Sequence, residues 1–241
     1  MPPVPRPGAR KGPNRNLLLA LGGAAVVAIV LIVASLVLRG GDSASPSTTG
    51  TSTGGGLFSG IPQDFTLVGK PNARVKLIEY GDLQCPICKS FSADTLPSLV
   101  DEYVRPGRVK MEFRGIAFIG PDSEKALRFV IAAGLQDSLW EMQEGLYANQ
   151  GGENKGWVTD ELVRSVASEI TGLDIDQLFA DVSAPEVTKE LQESDAQAQA
   201  AKVPGTPWFW VQIGDSEPYE IQPTSYAPDF FRQVLDDALT G

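Results

Sequence analysis

The two cysteines constrain this chain more than any other feature. Cys85 and Cys88 are its only cysteines in 241 residues, and only Pro86 and Ile87 separate them. A structural disulfide framework would spread its cysteines along the chain to close long loops. A bridge across two residues closes almost none, so it adds little stability through the unfolded state. The pair is better suited to chemistry: a dithiol that exchanges a disulfide with another molecule. The flanking residues fix its setting. Arg74 to Tyr80 has the apolar, β-branched character of a buried strand. Apolar residues at helical spacing follow (Phe91, Leu96, Leu99, Val100, Tyr103), with Pro97 expected to kink that helix. Val109 to Phe113 is the next strand. The dithiol therefore belongs at a strand-to-helix turn inside a βαβ unit.

The N-terminal part is of a different kind. Residues 1–16 hold Arg6, Arg10, Lys11 and Arg15 and no acid. Residues 17–38 form one uncharged apolar run, which at about 1.5 Å per residue spans roughly the 30 Å core of a bilayer. We expect a single transmembrane signal anchor rather than a shorter, cleaved secretory signal. Either alternative exports the remainder. The basic residues ahead of the run place the N-terminus in the cytoplasm and the long C-terminal part outside. Residues 39–60, rich in Ser, Thr and Gly, are expected to be a flexible linker. Residues 61–241 are then one extracytoplasmic domain in the cell membrane's outer compartment, where disulfides persist.

Charge narrows the partners. Past the linker's Asp42, the chain has 15 basic and 29 acidic side chains. Nucleic acid and anionic lipid, which want basic patches, are not expected ligands of that domain. Metal is also unexpected: a structural zinc site wants four ligands, usually Cys or His, and the chain has two cysteines and no histidine. The lack of histidine likewise removes Ser-His and Cys-His catalytic schemes. No cofactor is needed for thiol exchange.

Beyond the βαβ unit, one helical stretch is expected from about Asp122 to Asn149. Shorter helices follow at Thr159 to Ile170 and Asp174 to Val182, then a polar one from Pro185 to Ala201. Val203-Pro204-Gly205-Thr206-Pro207 breaks the pattern. Trp208 to Ile213 and Tyr219 to Ile221 form a hairpin, and Pro228 to Leu239 a closing amphipathic helix. Alternation puts Trp208 and Trp210 on one sheet face and Phe209 on the other. Phe129, Leu135 and Trp140 are expected core of the helical block.

At the helix start, Cys85 lies near unpaired N–H groups and the positive end of the dipole, which favour its thiolate. Cys85 is the expected nucleophile, and Cys88, one turn inward, the resolving thiol. Two readings stand for Glu79, six residues before Cys85: a buried carboxylate with raised pKa acting as base, or an edge-facing glutamate on a half-exposed strand. Asp82 is read as an ordinary turn acid.

Residues 74–241 resemble the DsbA family of thiol–disulfide oxidoreductases. The resemblance rests on the strand leading into Cys85-Pro86-Ile87-Cys88, on the helical block, and on Val203 to Pro207 before a strand. It implies an α/β, thioredoxin-like fold with a helical insertion at about 120–202 between the βαβ and ββα halves. It implies a cis Pro207, with Thr206 and Pro207 beside the cysteines to hold a substrate's backbone, and proton transfer at the inner cysteine by an acid near Glu79. It implies exported, cysteine-containing substrates and a membrane redox partner that resets the dithiol. One departure matters. Strongly oxidising members carry Pro-His between the cysteines, and this chain carries Pro86-Ile87. The direction of electron flow (oxidase, reductase or isomerase) therefore stays open, as does a tethered module that binds exported chains without redox turnover.

Overall fold

The computed structural model describes residues 56–241. The basic tail, the apolar run 17–38 and residues 39–55 of the expected linker lie outside the described residues. Among the described residues no helix is long and apolar enough to cross a membrane.

A six-stranded mixed sheet forms the centre, in the order β1-β2-β4-β3-β5-β6. The short β1 (Gln63–Asp64) and β2 (Leu67–Val68) pair antiparallel at one edge. β3 (Val75–Gly81) and β4 (Val109–Gly115) are parallel neighbours, with Glu79 opposite Phe113. β5 (Trp208–Ile213) runs antiparallel to β3, and β6 (Tyr219–Ile221) closes the other edge. β3 is central and buried on both faces, as its near-continuous apolar run requires.

Between β3 and β4 the chain crosses over through α1 (Pro86–Asp94), α2 (Leu96–Leu99) and a π-helical turn at Val100–Val104. The kink expected at Pro97 is a break. Proline has no N–H for the Ala93 carbonyl and its ring crowds that group, so α1 ends at Thr95 and a new segment starts. Between β4 and β5 come α3 (Pro121–Gly134), α4 (Leu139–Ala148), α5 (Asp160–Ser168), α6 (Ile175–Asp181) and α7 (Pro185–Ala200). The single stretch expected over 122–149 is thus two helices. A turn at Leu135 to Ser138 separates them, with Asp137 in the left-handed region at φ 54°. Leu135 sits in that turn and is 39% exposed, so it is not core, whereas Phe129 and Trp140 are buried. α8 (Pro228–Thr240) closes the chain.

One sheet face carries the main core. Phe91 of α1, Phe209 of β5 and Phe231 of α8 meet with ring centroids 4.8–5.1 Å apart. Phe58 is 1% exposed and packs on Trp140 at 5.6 Å, so the packed domain reaches back before residue 61. The other face holds a smaller cluster of Ile78, Tyr80, Ile116 and Ala198 of α7, flanked by Trp208 and Trp210. The two tryptophans lie on one face and Phe209 on the other, the alternation a strand imposes.

Candidate active site

The site lies where β3 ends and α1 begins. Cys85 is the N-cap of α1, with extended backbone (φ −71°, ψ 119°), and Pro86 takes the first helical position, where a missing N–H costs nothing. The Cys85 Sγ accepts the Cys88 N–H at 3.4 Å. A helix start leaves its first N–H groups without intrahelical partners, and here a sulfur takes one of them. Cys88 is fully buried, Cys85 is 5% exposed, and Ile87 stands out at 46%.

The two thiols are driven apart in acidity. Cys85 is lowered from 9.0 to about 6. The largest cause is the hydrogen bond from the Cys88 thiol; partial burial opposes it, and the Thr206 side chain and the N–H groups of Cys88 and Ile87 add to it. Cys88 is pushed well above 9.0 by burial first, then by donating to Cys85 and by the negative charge of Glu79. One sulfur is thus held as thiolate and the other as thiol.

The segment before β5 closes the site from the far end of the sequence. The Thr206–Pro207 peptide bond is cis, and Cys85 in its thiol form donates to the Thr206 carbonyl at 3.2 Å, across 121 residues. Thr206 and Pro207 therefore stand against the dithiol.

Glu79 points to the main-core face of β3, with Leu77 and Gly81. It is 1% exposed, and among the described residues neither carboxylate oxygen has a hydrogen-bond partner. Burial, and secondarily the charge of Cys85, raises it from 4.5 to about 8. The carboxylate is thus buried, not edge-facing on a half-exposed strand. An apolar strand is compatible with either, because alternation along a strand buried on both faces does not say which neighbours cover a given side.

Asp82 is more than a turn acid. It is fully buried and accepts four hydrogen bonds: from Gln84 N–H at 2.8 Å, the Ser123 hydroxyl at 2.6 Å, and the N–H groups of Phe118 and Ile119 at 2.8 Å each. It ties the dithiol turn to the loop after β4 and to α3. Gln84 extends the tie to Ser123 and Asn154 at 3.0 Å each, and Gln150 donates to the carbonyls of Leu83 and Cys85 at 2.8 and 3.1 Å. The sequence held one signal for this: an Asp two residues before Gln84 is the pattern of an Asx turn. Its long-range partners had none.

Known proteins fit this geometry. The thioredoxin family model matches residues 63–218. A probable disulfide bond formation protein D of Bacillus anthracis is 33% identical over 147 residues, covering 60% of this chain and 68% of its own. The crystal structure of oxidised BdbD from Bacillus subtilis aligns with a TM-score of 0.63 at 24% identity, covering 76% of this chain and 97% of that one. A thioredoxin-like oxidoreductase from Silicibacter pomeroyi aligns with a TM-score of 0.57 at 27% identity, covering 77% and 96%. With a dithiol at a helix start and a facing cis-proline on this sheet, the chain belongs to the DsbA-like thiol–disulfide oxidoreductases of the thioredoxin fold.

Proposed function

We propose that this oxidoreductase is tethered to the cell membrane by residues 17–38, with its catalytic domain extracytoplasmic, and that it introduces disulfides into exported proteins. The observation that carries the direction is the asymmetry of the thiols. A thiolate belongs only to the reduced form, so lowering Cys85 stabilises that form and makes the disulfide a better oxidant. The relatives named for disulfide bond formation support the same direction.

In the cycle, a substrate thiolate attacks Cys85 Sγ of the Cys85–Cys88 disulfide. That bond breaks, a mixed disulfide forms, and Cys88 leaves and takes up a proton. Glu79, largely a neutral acid at pH 7 because its pKa is about 8, supplies it. A second substrate thiolate then attacks the substrate sulfur of the mixed disulfide, and Cys85 leaves as thiolate. The substrate has lost two electrons and the dithiol has gained them; a membrane redox partner takes them on. Thr206 and Pro207 hold the substrate chain in extended form beside Cys85, where proline offers no competing N–H. Pro86 starts the helix, and Ile87 faces the approaching chain.

Two measurements test this. Cys88→Ala in the full chain, made in cells, should accumulate mixed disulfides on Cys85 that collapse on reduction; their absence refutes redox turnover. The reduction potential should lie well above the thioredoxin value of about −270 mV. A value near that figure assigns a reductase instead.

A further inference from the structure

Gln143 is buried at 1% exposure, yet among the described residues neither its Nε2 nor its Oε1 has a hydrogen-bond partner. The same holds for both carboxylate oxygens of Glu79. Buried polar groups are nearly always bonded, so four such atoms call for a partner.

Contacts on either side of Gln143 fix how α4 runs past the end of β3. Gln150, just past α4, donates to Leu83 and Cys85. The Tyr147 hydroxyl donates to the Asp82 carbonyl at 3.3 Å, and a Cβ added at Gly81 would lie 3.1 Å from it. Helix and strand therefore advance in step. Four residues back along the helix from Tyr147 is about 6 Å. Two residues back along the strand from Gly81 is about 6.6 Å. Those steps end at Gln143 and Glu79. From the other side, Trp140 Nε1 donates to Thr66 O, which also accepts the N–H of Phe113, the residue opposite Glu79. Gln143 is bracketed between these two contacts. Helical spacing aligns 143, 147 and 150 on one stripe, while Gly145 on the opposite side faces Val166 of α5.

We propose that Gln143 is a positioning residue for Glu79, the amide and the carboxyl being joined by one buried water. The inference rests on the reading that Glu79 exchanges a proton with Cys88. The two side chains make no direct bond, and a water with two to four polar partners spans such a gap at little cost. An amide suits the task. It donates through the water to a carboxylate and accepts from a carboxylic acid, so Glu79 stays oriented in both states and is locked in neither. A cation there would fix the carboxylate. The titratable groups facing Glu79 are Cys85 and Cys88 of the α1 turn and Tyr147 of α4; the flanking strands offer Met111, Phe113, Phe209 and Val211 on this face.

The test is the Gln143 side-chain amide signal in nuclear magnetic resonance spectra of the reduced full chain, followed from pH 6 to 10. It should shift with the midpoint of the Glu79 carboxyl, and the shift should vanish in Glu79→Gln. An amide signal that ignores the Glu79 titration overturns the proposal. In Gln143→Met the Glu79 midpoint should rise by about half a unit, a roughly threefold change in proton affinity. The pH profile of mixed-disulfide resolution should move with it, and Gln143→Met should add nothing in a Glu79→Gln background. Equal midpoints in wild type and Gln143→Met, or an effect that persists without Glu79, refute it. If Glu79→Gln leaves the pH profile of resolution unchanged, the proton-transfer role of Glu79 fails, while the amide signal still reports whether the two side chains are joined.

Discussion

Removing the Cys88 sulfur should raise the pKa of Cys85, and the structure sets the scale. The largest influence lowering Cys85 to about 6 is the hydrogen bond from the Cys88 thiol. A hydrogen bond to a charged group contributes about 1.5–3 kcal/mol. At about 1.4 kcal/mol per unit, its loss in Cys88→Ala moves Cys85 up by about 1–2 units. With its pKa at about 6, Cys85 is about 90% thiolate at pH 7. In the variant that falls to somewhere between about half and a tenth. The backbone N–H groups of Ile87 and Cys88 and the Thr206 side chain survive the change, so Cys85 should still lie below 9.0. Thiolate absorbance at 240 nm against pH reads the midpoint, and the pH dependence of alkylation checks it independently. A midpoint that stays at about 6 would refute the assignment, since the helix start alone would then account for the acidity. The sign carries over to stability. Cys85 is a depressed acid, so its contribution to the reduced fold is complete above 9.0 and is lost as pH falls through about 6. Denaturation of wild type minus Cys88→Ala, both reduced, should show a gap that grows from about pH 6 to the variant's own midpoint at about 7–8 and then levels off.

Ile87→His should make the protein more oxidising: the position is exposed beside Cys85, and an imidazolium there would favour the thiolate; a potential that stays put or falls would contradict this. Glu79 is a raised acid, so its contribution is complete below 4.5 and is lost as pH rises through about 8. Glu79→Gln should therefore flatten the stability curve between those values by up to about 1.4 kcal/mol per pH unit, and chemical denaturation at pH 5 and 7.5 would reveal an unchanged slope if Glu79 were ionised in the fold. Asp82→Ala should cost about 3–5 kcal/mol in denaturant unfolding, because the N–H groups of Gln84, Phe118 and Ile119 lose their acceptor inside the protein; a loss under about 1 kcal/mol would mean the turn rearranges freely.

Much of this protein follows from local sequence. The strand from Val75, the helix start at Cys85-Pro86, the hairpin at Trp208 to Ile221 and the closing helix are set by periodicity and by proline, whose fixed φ and missing N–H act within one turn. The same local physics gives Cys85 its helix-start N–H groups, so the chemistry of the pair was legible from four residues. The break at Leu135 to Ser138 was not. Gly134 and Asp137 are weak punctuation inside an apolar periodicity, and the exposure of Leu135 depends on where α4 must turn to bring Trp140 against Phe58 and Phe113. Nor was the role of Asp82. Any turn acid caps local N–H groups, but the N–H groups of Phe118 and Ile119 reach it only because β4 lies parallel beside β3 and delivers its following loop to the same end of the sheet. Glu79 is the sharpest case. Its position in a strand is local, but its pKa is a property of what covers it, and Cys85, Phe113 and Phe209 surround it only once two parallel strands, an antiparallel one and a helix start have met. Desolvation is a collective effect of distant segments, so the tertiary structure decided it.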